Sequence, residues 1–181
     1  FDVAKKMGFW DGKEPFRFWK AYSGGNYFGE LKSYSLREFF ILNKLAPSLH
    51  LSYDSEELPL SVKPDKAVSV TDVMALLRET YEGTEWDVTK NLKVLAKKKD
   101  SQEKDSITSA SANPWMTTDM INMLNGVKEG TVTRNRLVAV PQCSYSHVIQ
   151  LRSWLPDAIG GIAWMSFDNP GQSPRFPIFA G

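Results

Sequence analysis

Apolar residues Leu36, Phe39, Phe40, Ile41 and Leu45 recur at helical spacing, which predicts a short amphipathic helix over 35–45 with Ser35 as candidate N-cap and Pro47 closing it. Residues 52–67, broken by Pro59 and Pro64, read as an irregular connection of extended character. The clearest helical stretch follows. Ser69 or Thr71 can cap it and Asp72 suits its positive end. Val73, Met74, Leu76, Leu77 and Tyr81 supply an apolar stripe that Gly83 is expected to end. Residues 118–124 predict a further short helix before Gly126.

After Gly130 the pattern changes to β-branched and apolar segments at 131–140, 144–151, 162–167 and 176–179. Pro141, residues 156–161 and residues 169–171 separate them, the sequence style of an antiparallel sheet. The fold class expected is therefore α+β, an antiparallel sheet with flanking helices. The first third differs: Phe9, Trp10, Phe16, Phe18, Trp19, Tyr22, Tyr27 and Phe28 are interleaved with Gly8, Gly12, Gly24, Gly25 and Gly29. Tight turns are expected there, with the aromatics packed into a core.

Length and composition set the outer bounds. At 181 residues, 42% hydrophobic and 12% aromatic, the chain is sized for one packed globular unit rather than a disordered segment. With 22 basic and 21 acidic side chains it has no overall field to gather nucleic acid or anionic lipid. The charged run at 97–105 alternates in sign and reads as a solvated loop. No apolar run is long enough to cross a bilayer, so neither membrane insertion nor a nucleic-acid partner is expected. The chain starts at Phe1 rather than methionine and stops just after an apolar segment, and we expect a piece of a longer polypeptide.

Candidate chemistry is sparse. Cys143 and His147 invite a thiolate–base reading, but on a strand their spacing separates them by more than about ten ångströms, beyond proton-transfer reach. Cys143 is better read as an inert, buried thiol of the expected sheet. His50 and His147 are the only histidines and neither has a ligand spacing, so no metal is expected. No phosphate loop, nucleophile elbow or dinucleotide fingerprint occurs. The densest cluster of ionisable groups is Arg78, Glu79, Glu82, Glu85 and Asp87 around Gly83. Structurally, Arg78 can pair with Glu82 across one helical turn while Thr84 or Asp87 caps the next element. Functionally, Arg78 and Glu82 could hold the charged terminus of a short peptide.

The run Leu77-Arg78-Glu79-Thr80-Tyr81-Glu82-Gly83-Thr84-Glu85-Trp86-Asp87, together with Pro141-Gln142-Cys143 through Gln150-Leu151-Arg152 to Pro156, resembles the cysteine dipeptidases of the dipeptidase D type, in the N-terminal-nucleophile hydrolase superfamily. Val62-Lys63-Pro64-Asp65, Trp115, Arg136, Ile159-Gly160-Gly161, Trp164, Phe16 and Ala21-Tyr22-Ser23 extend the resemblance over nearly the whole chain. It implies that residues 1–181 are an internal portion of a dipeptidase catalytic domain with an αββα core. It also implies hydrolysis of dipeptides with no metal and no organic cofactor. An N-terminal cysteine would be the nucleophile and its own α-amino group the base. No cysteine stands at position 1, so the nucleophile is expected elsewhere in the polypeptide, this chain alone is expected to be inactive, and the remainder of the polypeptide becomes its partner. Cys143 matches an internal family cysteine, which argues against it as nucleophile. Arg136, before an apolar segment, is the candidate catalytic arginine for the oxyanion. The alternative is a non-catalytic module whose aromatic first third contacts peptide or glycan.

Overall fold

The computed structural model describes residues 1–22, 32–55, 57–97 and 102–179, with residues 32–34 by their backbone only, and divides into two units, Phe1–Ala67 and Val68–Gly181. Tyr27, Phe28, Gly24, Gly25 and Gly29 lie outside the described residues.

In the first unit, helix α1 (Asp2–Lys6) is followed by the turns that Gly8 and Gly12 make at positive φ, then by α2 (Phe18–Tyr22). The aromatics here meet edge-on: Phe1 with Phe16 at 4.6 Å between centroids and Trp10 with Phe16 at 5.4 Å. They are not a closed core, since Phe1 and Phe18 remain 73% and 70% exposed, while small residues Ala4 and Ala21 are the buried ones. Large rings stack on one another and leave the close contacts to alanine. Helix α3 (Lys32–Leu45) begins three residues before the expected start, and Ser35 is buried inside it rather than capping it. Leu36 and Phe39 form its buried stripe. A short 3-10 turn at Pro47–Leu49 follows, as the proline requires. The extended connection beyond is anchored by Asp65. Its carboxylate accepts from the Ser48 amide at 2.9 Å and the Ser48 hydroxyl at 2.6 Å, and its own amide donates to the Leu45 carbonyl.

The second unit opens with α4 (Val70–Leu76), and Ser69 is its cap: the Ser69 hydroxyl accepts from the Asp72 amide while the Asp72 carboxylate accepts from the Ser69 amide at 2.8 Å. The helix stops at Leu76, not at Gly83, so the ionisable cluster lies in turns. Strands β1 (Lys93–Lys97) and β2 (Lys104–Thr108) form an antiparallel hairpin that the sequence reading did not mark, and of the charged run read as a loop Lys97, Lys104 and Asp105 are strand residues. Both strands lie at the surface, which is why charge alternation reads as loop; residues 98–101 are outside the described residues. Helix α5 (Thr118–Val127) runs through Gly126, capped by the Thr117 hydroxyl at 3.3 Å from the Met120 amide.

The sheet expected at the end of the chain is present. Strands β3 (Tyr145–Leu151), β4 (Gly161–Phe167) and β5 (Phe176–Phe179) form an antiparallel meander in the order β3-β4-β5, with the four-residue helix α6 (Asp157–Gly160) between the first two. The fold class is α+β. Alternation fixes the faces: Ser146, Val148, Ile162 and Ser166 point inward, and α4 packs on β3. The other face carries Tyr145, Ile149, Leu151, Phe167, Phe176 and Ile178, all exposed.

Segment 131–140 departs from expectation. It is not a strand, although it is β-branched and buries Val132, Leu137 and Ala139. Its backbone is satisfied by other means. Asn125 of α5 clasps Val132 twice, accepting from its amide at 2.9 Å and donating to its carbonyl at 3.0 Å, and Trp115 donates its indole N–H to the Ala139 carbonyl at 2.8 Å.

Candidate functional site

The turns after α4 and segment 131–140 are built against each other. Leaving the helix at Leu77, the chain reaches Tyr81 at φ +63°, the left-handed region that a bulky aromatic adopts at a cost. Tyr81 is fully buried, and its carbonyl accepts from both the Thr84 amide at 3.0 Å and the Thr84 hydroxyl at 2.7 Å. Gly83, at φ +74°, turns its amide onto the Asp87 carboxylate at 3.0 Å. The other Asp87 oxygen accepts from the Thr89 amide at 2.8 Å and hydroxyl at 2.7 Å. Burial works to raise the Asp87 pKa, but the Thr89 and Gly83 donors and the Lys90 charge outweigh it and hold the carboxyl below its ordinary value.

Three hydrogen bonds join this knot to the later segment. The Tyr81 hydroxyl donates to the Arg136 carbonyl at 2.8 Å, the Asn135 side-chain amide donates to the Trp86 carbonyl at 2.7 Å, and the Ala139 amide donates to the Glu79 carbonyl at 3.0 Å. Glu82, next to Tyr81, and Arg136, whose carbonyl Tyr81 binds, are thereby held at a fixed backbone separation. Both side chains are exposed, as is that of Arg78.

The expected pairing of Arg78 with Glu82 is not formed, because the helix that would align them ends at Leu76. Arg78 instead donates to the Ser173 carbonyl at 3.2 Å. Asp87, not Thr84, takes the larger capping role. Cys143 is half-buried in the turn before β3, not a fully buried strand residue, and its thiol donates to the Tyr145 carbonyl at 3.0 Å. His147 stacks on Tyr145 on the exposed face of β3, with 6.2 Å between ring centroids. No hydrogen bond joins it to Cys143 among the described residues.

Sequence reasoning missed Arg175 and Ser146. Arg175 Nη2 donates to the Ser146 hydroxyl at 2.8 Å, and that hydroxyl meets the wholly buried Ser166 hydroxyl at 2.9 Å. Ser146 and Ser166 are polar residues in otherwise largely apolar strands, which was the available signal for the serines; Arg175, between two prolines, had none. Among the described residues no group of three or more His, Cys, Asp or Glu side chains is placed to hold a metal ion.

The profile of peptidase family C69 matches residues 2–181. Curated proteins similar to this chain include one named "Probable dipeptidase" from Salmonella dublin, 26% identical over 98% of this chain and 33% of that protein. Another "Probable dipeptidase", from Latilactobacillus sakei, is 24% identical over 79% of this chain and 23% of that protein. "Probable dipeptidase B" from Streptococcus pyogenes serotype M1 is 23% identical over 78% of this chain and 23% of that protein. The chain therefore spans about a quarter to a third of the length of these relatives. No solved structure matches it.

Proposed function

The chain belongs to peptidase family C69, and on that premise we propose that it is an internal portion of the catalytic domain of a cysteine-type dipeptidase with the αββα architecture of N-terminal-nucleophile hydrolases. The family match over nearly every residue carries this reading, and the names of the relatives point to dipeptides as substrate. The sheet supports the layering. One face of β3-β4-β5 is packed within the unit, while the other presents Leu151 at 77% exposure and Phe167 at 61%. A second sheet from the remainder of the polypeptide would cover such a face.

In this reading an N-terminal cysteine thiol of the intact protein attacks the scissile carbonyl and its α-amino group takes the proton. Arg136 stabilises the oxyanion, and Arg78 and Glu82 hold the charged ends of the dipeptide. Cys143 is not the nucleophile, since its thiol is half-buried against the Tyr145 carbonyl and no base is bonded to it among the described residues. The test is dipeptide turnover by the intact protein before and after thiol alkylation. Thiol-dependent turnover that survives Cys143→Ala supports the reading, and turnover lost with Cys143→Ala overturns the placement of the nucleophile. Saturable dipeptide binding with no turnover would favour a non-catalytic module, for which the exposed Phe1 and Phe18 would be the contact surface.

A further inference from the structure

Arg175 stands one residue before β5, and extending the β4–β5 register by one places it opposite Ser166, which itself pairs with Ser146. The three form a row across the sheet. Arg175 donates to the Ser146 hydroxyl through Nη2 at 2.8 Å and to the Ser146 carbonyl through Nη1 at 3.4 Å, so the guanidinium is fixed in place. Its Nε–H is buried and has no partner. Arg78 comes to the same place from the turn after α4: its Nη2 donates to the carbonyl of Ser173, two residues before Arg175.

Neither arginine is in an ion pair among the described residues, where the ion pairs are Arg17 with Glu57 and Lys20 with Glu14. Burial pushes the Arg175 pKa down, the Arg78 charge adds to that push, and Cys143 opposes it. Two guanidiniums close enough to act on each other, one with a buried free donor, are electrostatically uncompensated. An anion would relieve both defects. A planar fork that keeps a donor free suits a carboxylate, which can take parallel N–H bonds.

We propose that Arg175 and Arg78 form a carboxylate site, and that it receives the free C-terminal carboxylate of a short peptide substrate. The identity of the ligand rests on the dipeptidase reading above; the anion site rests on the two arginines alone. Arg175 is then a binding residue, with Ser146 and Ser166 holding it in position.

The experiment is a titration of the intact protein, labelled with nitrogen-15 at arginine, with N-acetylalanine and with N-acetylalanine amide. Neither needs to be hydrolysed to bind. The carboxylate is expected to shift the Arg175 Nε–H resonance saturably, with the amide at least about tenfold weaker. Arg78→Gln, at an exposed position, should weaken the carboxylate about tenfold while leaving the urea midpoint unchanged. Equal binding of acid and amide, or no shift of Arg175 with either, overturns the site. Inorganic phosphate binding more tightly than the carboxylate overturns its assignment to a peptide terminus. Carboxylate binding in a protein that turns over no dipeptide would sink the peptidase reading and leave the anion site standing.

Discussion

Tyr81 and Arg136 lie 55 residues apart in the chain, and the hydroxyl of one donates to the backbone carbonyl of the other at 2.8 Å. The tyrosine is fully buried in a left-handed backbone conformation, so the bond ties a conformationally costly turn to segment 131–140, which has no strand ladder of its own. Tyr81→Phe keeps the ring and removes the donor. It should destabilise the protein by about 1–3 kcal/mol, because the Arg136 carbonyl is left part-buried without that partner. Urea denaturation at neutral pH measures it. An unchanged midpoint would mean that water replaces the hydroxyl without cost.

Asp87 predicts an acid dependence. Its carboxyl titrates below its ordinary value in the folded protein, so the ionised form contributes stability above the unfolded pKa, and that contribution is lost as pH falls through the lower, folded value. Asp87→Asn should destabilise by about 1–3 kcal/mol at pH 7, since an amide cannot accept from Gly83 and Thr89 through both of its ends. The difference between variant and parent should shrink as pH drops below about 4. A difference that is constant with pH would show that the carboxylate charge is not the cause.

What the sequence revealed and what it concealed divide along the range of the contacts involved. Strands β3 and β4 were legible because each is a run of β-branched and apolar residues and the turn between them is marked by proline and glycine. Ser69 and Asp72 were legible as a local cap. Segment 131–140 was misread because β-branched, half-buried residues look alike whether a ladder or distant side chains satisfy the backbone. Here Asn125, Trp115 and Tyr81 do so. The end of α4 was misread for the same reason: Gly83 serves the Asp87 carboxylate rather than a helix terminus. Of the residues proposed for chemistry, Arg78, Glu82 and Arg136 could be named from the family-like motif, but Arg175 could not. Its significance comes from Ser146 and Arg78, 29 residues away in one case and close only through the fold in the other.

Gly171 is a packing constraint. A Cβ there would stand 2.5 Å from Cζ2 of Trp115 and 3.2 Å from the Ala139 Cβ, and Trp115 is itself pinned by its bond to the Ala139 carbonyl. Gly171→Ala should therefore cost about 1–3 kcal/mol through displaced backbone or an off-rotamer indole. Thermal unfolding gives the size, and the tryptophan emission of the folded variant reports whether Trp115 has moved. A variant as stable as its parent would show that Trp115 can swing aside freely.

Arg136 is the sharpest test of the proposed chemistry, because its backbone and side chain have separable roles. The carbonyl accepts from Tyr81, and truncating the side chain leaves that bond in place. The side chain itself is exposed, where an ion pair contributes about 0–1 kcal/mol to stability. Arg136→Ala should thus leave the melting temperature close to that of the parent. If the guanidinium supports the charge that develops on the carbonyl oxygen, dipeptide turnover by the intact protein should fall about ten- to a thousandfold, equivalent to about 1–4 kcal/mol of transition-state stabilisation. A loss confined to kcat assigns the arginine to the transition state, and a loss confined to KM assigns it to substrate binding. Unchanged turnover removes the Arg136 side chain from the catalytic machinery, and a lowered melting temperature with it would give that side chain a structural role separate from the carbonyl that fastens Tyr81.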